Sequence, residues 1–203
     1  DETGFKTALA EQKKRSQADA AKEVGDWFEM SDGEVSFVGY DQMEVAATKI
    51  LKHRTIVVKK KKQYQLVLAQ TPFYAESGGQ AGDAGMLTIG EESIRVFDTQ
   101  KENDLIIHIV EKLPTDMAAA VTAKVNATKR GATSQNHTAA HLMHAALHQV
   151  IGTHALQKGQ SVDHKRLRFD FSHFDKVNGD ELATIEQIVN QNFFIVPSGV
   201  KPT

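Results

Sequence analysis

The spacing of apolar residues changes twice along the chain and divides it into three predicted parts. From Phe5 to about Phe28 a thin apolar stripe runs among many charges, which predicts a marginal helix that needs a partner. From Glu34 to about Thr128 the period shortens to two, the period of β-strands. Beyond Lys129 both periods occur. We therefore expect a helical lead-in over 1–32, a β-barrel over 33–128 and an α+β unit over 129–203.

The middle part predicts a small antiparallel barrel, because many short strands follow one another with turn signals between them. The first hairpin has Lys59–Lys62 at its tip. Only Met43–Leu51 offers a helical alternative. The strands expected from alternation are Ile56–Val58, Tyr64–Leu68, Gly85–Gly90, Ser93–Phe97, Leu105–Val110 and Ala120–Val125.

A helix rich in histidine is predicted at the start of the third part. Four of the nine histidines lie within Asn136–His148, and at about 100° per residue they share an arc of about 60°. Ser134 or Asn136 is the expected N-cap, and Gly152 the expected end. The opposite side of the helix carries apolar residues that can pack on a core: Ala139, Leu142, Met143, Ala146, Leu147 and Val150.

The remainder of the third part predicts two strands and one helix. Arg166–Phe171 alternates strictly, as a strand with one buried face does. Asp180 is the expected N-cap of a second helix. Phe193–Val196 is the expected last strand. Together with the barrel, these elements predict an α+β fold.

Histidines four residues apart on a helix are spaced to bind one divalent metal ion. Both His137/His141 and His144/His148 have this spacing, so spacing alone does not choose between them. Thr138 stands where a zinc-protease helix needs glutamate, which excludes that class. The competing interpretation is a solvated row of histidines that binds no metal.

The second chemically notable stretch is Thr71–Asp83, which contains the paired glycines Gly78 and Gly79. Paired glycines allow positive φ and can present backbone N–H groups to a close ligand. Gln80 offers a donor and an acceptor, as recognition of an ester or a ribose hydroxyl requires. A plain turn between strands is the alternative. No Gly-Lys-Ser/Thr follows, so this is not a P-loop.

Composition narrows the function classes. Hydrophobic residues make up 40% and charged residues 25% of the 203 residues, as in globular proteins, and the net charge of −2 requires any nucleic-acid contact to come from local basic clusters. The absence of cysteine excludes a disulfide framework and suits a cytoplasmic location. No apolar run is long enough for a membrane span. Because the sequence does not begin with methionine, we expect an excerpt of a longer chain.

Three blocks resemble the editing domain of alanyl-tRNA synthetases, and they occur in that family's order. The blocks are TPFYAESGGQAGDAG at Thr71–Gly85, NHTAAHLMHAALHQVIGTH at Asn136–His154 and RLRFDFSH at Arg166–His173. Asp1–Lys6 and Glu11–Arg15 resemble the end of the same enzymes' helical tRNA-recognition region. The blocks also resemble the editing modules of threonyl-tRNA synthetases and of free-standing deacylases.

The resemblance implies hydrolysis of seryl or glycyl groups wrongly attached to alanine tRNA, with the aminoacylated 3′ end of tRNA(Ala) as partner. It implies that His137 and His141 are zinc ligands and that Gly78, Gly79 and Gln80 bind the substrate. Gln80 and Thr138 are the candidate catalytic residues, with Thr138 contacting a serine hydroxyl. ATP and magnesium would serve the ligation reaction in a domain upstream of this chain.

One departure from the family concerns the metal. The family completes its zinc site with a later cysteine and histidine, whereas this chain has no cysteine, and residues 193–203 do not resemble the family. We therefore expect a piece truncated before the second ligand pair, with weak zinc binding or none. Three alternatives remain at this point: a non-catalytic tRNA-positioning module, a free-standing aminoacyl-tRNA deacylase, and a metal-buffering protein built on the histidine helix.

Overall fold

A computed structural model describes residues 25–193 of the chain. Most of the helix expected from Phe5 to Phe28 lies outside the described residues. Its last residues are not helical: residues 25–27 have no regular structure, and Phe28–Glu29 forms strand β1. The phenylalanine ring stacks on His53 at 5.3 Å, so pairing with a neighbouring strand overrides the weak local helical pattern.

The described part of the chain contains an eight-stranded antiparallel sheet with the order β1-β4-β5-β9-β8-β7-β10-β3. Two further short strands, β2 and β6, pair in parallel beside it. The bounds of the strands as far as the first helix are β1 Phe28–Glu29, β2 Ser36–Phe37, β3 Glu44–Thr48, β4 Ile50–Val58, β5 Lys61–Leu68, β6 Gln70–Thr71, β7 Gly85–Ile89, β8 Glu92–Glu102, β9 Leu105–Val110 and β10 Val121–Val125.

The two ends of this sheet must curl towards each other. Only Lys49 separates β3 from β4, although they stand near opposite ends of the strand order. Both are strands, so the helical alternative for Met43–Leu51 is wrong. The alternating burial of β7 and β8 places one row of side chains in a shared apolar core with Leu66, Leu68 and Phe73. The α+β class is confirmed, and closure into a barrel stays a prediction.

The histidine-bearing helix, α1, spans Ala127–Ile151 and begins well before the expected N-caps, Ser134 and Asn136. The cap is Asn126, whose side-chain oxygen accepts the N–H of Lys129 at 3.0 Å. The sequence does not reveal this early start because the first turns of α1 carry little apolar periodicity. Gly152 ends the helix at φ 108°, as predicted.

Strand β10 passes into α1 through a single residue. Val125 ends the strand, and Asn126 both caps the helix and donates its backbone N–H to the carbonyl of Ala84 at 2.9 Å. The sheet and the α+β unit are therefore joined without a loop.

The α+β unit is completed by a hairpin and a second helix. Strands β11, Gln157–Val162, and β12, Leu167–Phe171, pair antiparallel, and the helix α2 spans Gly179–Phe193. Asn178 rather than Asp180 caps α2, in a reciprocal pair of hydrogen bonds with Glu181. Asp180 lies in the first turn.

The expected last strand is not observed at its first residue, because Phe193 ends α2, and residues 194–196 lie outside the described residues. The two helices and the hairpin enclose a second apolar core around Ala146, Leu147 and Ile185. Neither helix in the described part of the chain combines the length and the apolar content that crossing a bilayer requires.

The β4–β5 hairpin predicted from the sequence is confirmed, but its two-residue turn holds lysine in an unfavourable conformation. Lys59 and Lys60 have φ of 49° and 63°, the left-handed region that this turn type demands and that favours asparagine and glycine. Replacing the pair by Asn-Gly should raise the free energy of unfolding by about 1 kcal/mol in urea denaturation.

A matched control for this change is Lys61→Gln with Lys62→Gln, which removes an equal number of charges outside the left-handed turn. An equal gain in that control would mean that relief of charge repulsion, not of backbone strain, stabilises the hairpin.

Candidate functional site

The paired glycines form a tight turn. The backbone groups of Ser77 and Gln80 exchange two hydrogen bonds, of 3.2 and 2.9 Å, across Gly78 and Gly79. The two glycines have φ of 59° and 81°, which a side-chain-bearing residue adopts only with strain. The glycines are thus required by the turn itself, and no atom lies within 4 Å of a Cβ built at Gly78, which leaves that side of the turn open.

The turn is held against β11 of the α+β unit. The carbonyl of Gly79 accepts the N–H of Val162 at 2.8 Å, and the N–H of Ala81 donates to the carbonyl of Val162 at 2.9 Å. A Cβ at Gly79 would lie 2.5 Å from the carbonyl oxygen of Gln160, so only glycine allows this approach. The side-chain amide of Gln160 donates to the carbonyl of Gly78 at 2.6 Å.

This docking places Gln80 next to the histidine helix. Its Oε1 lies 2.6 Å from Nδ1 of His137, and the glutamine is only 5% exposed. The rings of His137 and His141 stack with centroids 5.0 Å apart and planes 6° from parallel. The structure thus brings together the glutamine of one sequence block and the first histidine pair of another.

The contact with Gln80 fixes the proton on the His137 ring. Because a glutamine oxygen only accepts, Nδ1 must carry the proton, and the lone pair is left on Nε2. Burial lowers the pKa of His137 below its usual value, and the neighbouring His141 adds to the effect. Both causes favour the neutral imidazole, which is the form that binds metals or accepts a proton.

Two of the side chains present could hold a metal ion. His137 through Nε2 and the exposed His141 suit a zinc ion in ligand type and helical spacing, and Gln80 orients the first ring as an outer-shell partner does. Within residues 25–193 no group of three or more metal-binding side chains occurs. Zinc needs three or four protein ligands, so a complete zinc site requires ligands in addition to His137 and His141.

Thr138 is less well placed for the role expected of it. Its hydroxyl donates to the carbonyl of Ser134, one turn earlier in the same helix, at 3.1 Å. That hydrogen bond would have to break before the hydroxyl could donate to a substrate. The role of Thr138 therefore stays a prediction.

The second histidine pair has structural contacts instead. Nε2 of His148 is 3.1 Å from the carbonyl of Ala155, and the ring of His144 packs against Phe169 at 5.2 Å between centroids. Both rings are half-buried, so the four histidines do not form one common solvated face. Spacing alone does not choose between the two histidine pairs as metal ligands. Of the four rings, only His137 is hydrogen-bonded to Gln80.

An ion pair between Asp83 and Arg130 fixes the loop between β6 and β7 to the first turns of α1. The sequence did not reveal this pair. Nε of Arg130 donates to both carboxylate oxygens of Asp83 at 2.9 Å. Its Nη1 and Nη2 donate to the carbonyls of Gly39 and Pro72 at 2.8 and 3.0 Å. Two helical turns separate Arg130 from His137, so this pair sets the position of the imidazoles relative to the glycine turn. Lys129-Arg130 appeared in the sequence as a small basic cluster of ordinary surface type.

A buried histidine of the sheet, His108, anchors the start of the glycine-rich stretch. Its Nδ1 lies 3.1 Å from the carbonyl of Leu66 and its Nε2 2.7 Å from Oγ1 of Thr71, which also accepts the N–H of Phe73 at 3.1 Å. The neutral ring satisfies every group in this chain of bonds. Burial lowers the pKa of His108 to about 4. The sequence feature that pointed to a buried histidine is the position of His108 within the apolar strand Leu105–Val110.

Comparison with known proteins supports the resemblance seen in the sequence. The family model described as tRNA synthetases class II (A) matches residues 1–129. The alanine–tRNA ligase of Cytophaga hutchinsonii is 54% identical over 192 residues, and that of Parabacteroides distasonis 51% over 187 residues. These alignments cover 94% and 92% of this chain but 22% and 21% of the ligases, so the chain spans about a fifth of their length.

The family match ends three residues into α1, whereas the similarity to the two ligases continues through the histidine helix. The resemblance to alanyl-tRNA synthetases, drawn from three sequence blocks, is confirmed. The chain belongs to the family of class II (A) tRNA synthetases.

Proposed function

We propose that this chain forms an editing site of an alanyl-tRNA synthetase, which hydrolyses the ester of serine or glycine wrongly attached to tRNA(Ala). The observation that carries the proposal is the 2.6 Å contact between Gln80 and His137, since it joins the glycine block and the histidine block in one site. An alanine-binding pocket cannot exclude glycine by size and rejects serine poorly, so a second, hydrolytic site is needed.

Each part of the site has a chemical task in this proposal. The open turn at Gly78 and Gly79 faces the terminal adenosine and aminoacyl group of the tRNA 3′ end. Gln80 acts as a positioning residue, because it holds the His137 ring with Nε2 unprotonated. Zinc, when held by His137 and His141, would orient the ester or activate water. ATP and magnesium would serve the ligation reaction elsewhere in a cytoplasmic ligase.

A tRNA-positioning module is the second candidate, and the β4–β5 turn favours it. Lys59–Lys62 are all exposed at the end of a hairpin, where four adjacent ammonium groups suit a phosphate backbone. This candidate predicts RNA affinity without hydrolysis.

Hydrolysis of seryl-tRNA(Ala) tests the proposal, measured as serine release by the 203-residue chain and by a full-length ligase carrying this segment. Gln80→Leu removes the acceptor for the Nδ1 proton and should lower the rate by about 10- to 100-fold, the usual cost of losing such a partner. Gln80→Glu keeps an acceptor oxygen in place and should retain most of the rate.

An unchanged rate with leucine at position 80 would remove the proposed role of the contact. Absence of release above background in both proteins, with RNA affinity intact, would instead favour the positioning module.

A further inference from the structure

A cluster of three aromatic rings lies outside the site described above. Nε2 of His154 is 2.9 Å from Nδ1 of His173, and their rings stack with centroids 5.1 Å apart. Phe174 stacks on His154 at 5.2 Å and 25°. The loops that follow α1 and β12 thus contribute to one continuous stack.

The outermost ring of this stack is open to solvent. Phe174 is 89% exposed, the highest value among the exposed large apolar side chains of the described residues. A flat exposed aromatic face is the feature on which nucleobases stack.

The stack is held in place before any ligand arrives. Oγ of Ser172 donates to the carbonyl of His154 at 2.9 Å and accepts the N–H of Leu156 at 3.1 Å. The N–H of Ser172 donates to the carbonyl of Leu156 at 3.0 Å. Because both loops are tied together by backbone and hydroxyl bonds, little ordering entropy opposes binding to the rings.

Strand β11 connects the stack to the glycine turn. Leu156 adjoins the stack, and Gln160 is bonded to the carbonyl of Gly78. Four residues at about 3.3 Å each give about 13 Å along the strand. At about 3.4 Å per stacked nucleotide, a single-stranded RNA of about four nucleotides spans that distance.

Two lysines and one aspartate stand close in sequence to the stack. Lys158 and Lys176 are exposed, each two residues from the stack or from Leu156 beside it, and Asp175 is the acidic neighbour in the same loop. Lysines flanking a stacked aromatic face are the combination that single-stranded nucleic-acid sites use.

We propose that His154, His173 and Phe174 form a stacking platform for a base of the single-stranded 3′ end of tRNA, upstream of the terminal nucleotide in the Gln80–His137 site. The choice of the tRNA end as ligand rests on the proposed editing function. Binding to the platform itself does not require hydrolysis.

The test is fluorescence anisotropy with a four-nucleotide, adenosine-terminated RNA labelled with fluorescein at its 5′ end, added to the 203-residue chain. Phe174→Leu keeps an apolar side chain but removes the stacking face, and should weaken binding by about fivefold or more. Phe174→Tyr restores the ring and should restore affinity. Phe28→Leu is the matched control, since Phe28 is 63% exposed and stacks on His53 at the edge strand β1 of the sheet, outside the platform.

Equal affinity of Phe174→Leu and the unchanged chain would overturn the platform, as would an equal loss in Phe28→Leu. Because the RNA carries no amino acid, this result is independent of serine release. Intact binding to the platform together with unaltered hydrolysis in Gln80→Leu would contradict the role proposed for Gln80 and leave the platform standing.

Discussion

Replacing Arg130 by methionine is expected to lower the free energy of unfolding by about 3–5 kcal/mol, because it leaves a carboxylate buried without its cation. The side chains of Arg130 and Asp83 are 15% and 7% exposed. Methionine keeps much of the apolar stem but loses the donors to Asp83, Gly39 and Pro72. The urea midpoint of the purified chain measures the change.

The double variant Arg130→Met with Asp83→Leu should be more stable than the single one, since no charge is then left unpaired. Lys124→Met is the matched control, because Lys124 and Glu44 form an ion pair that is 66% and 46% exposed. Such surface pairs contribute about 0–1 kcal/mol. If Arg130→Met lowers the free energy of unfolding by no more than such a surface pair contributes, the ion pair with Asp83 does not hold the loop between β6 and β7 to α1.

Acidification is expected to destabilise the chain through His108. The pKa of the buried ring is about 4 in the folded chain, whereas an exposed histidine titrates near 6.5. Above about pH 6.5 the His108 ring is neutral in both the folded and the unfolded chain, and the full stability is present. As the pH falls towards 4, the unfolded chain takes up a proton that the folded chain excludes. The stability lost over this window is about 3 kcal/mol, to which the lowered pKa values of His137 and His144 add in the same direction.

Unfolding in urea at several pH values between 7 and 4 tests the role of His108. His108→Gln can still bridge Leu66 and Thr71 but has no proton to gain, so its stability should fall less steeply with acid. The exposed His154→Gln removes one histidine elsewhere and is the matched substitution. Parallel curves for the His108→Gln chain and the unchanged chain would show that another group causes the acid sensitivity.

The sequence predicted those elements that are specified by residues close together in the chain. The β4–β5 hairpin, strand β12 and the end of α1 at Gly152 follow from alternation and from a glycine at positive φ. Strand β11 was not predicted, because Lys158, Gly159 and Gln160 show neither alternation nor apolar character. The strand exists because it pairs with β12 and receives the glycine turn.

The candidate site depends on contacts between residues distant in sequence. Gln80 and His137 are 57 residues apart, and Asp83 and Arg130 are 47 apart. No periodicity carries information about such pairs. The family resemblance assigned Gln80, His137 and His141 to one site, and the geometry adds which nitrogen of His137 contacts the glutamine. Their roles in hydrolysis remain predictions.

The single-residue passage at Asn126 has a mechanical consequence. A hinge needs backbone that can change its dihedral angles freely, but the backbone of Asn126 is bonded to Ala84 and its side chain to Lys129. Rotation about the ψ angle of Asn126 would carry its side-chain oxygen away from the N–H of Lys129, and displacement of its backbone would break the bond to Ala84. The histidine helix is therefore expected to keep its place against the sheet, since the residue that connects them is bonded on both sides.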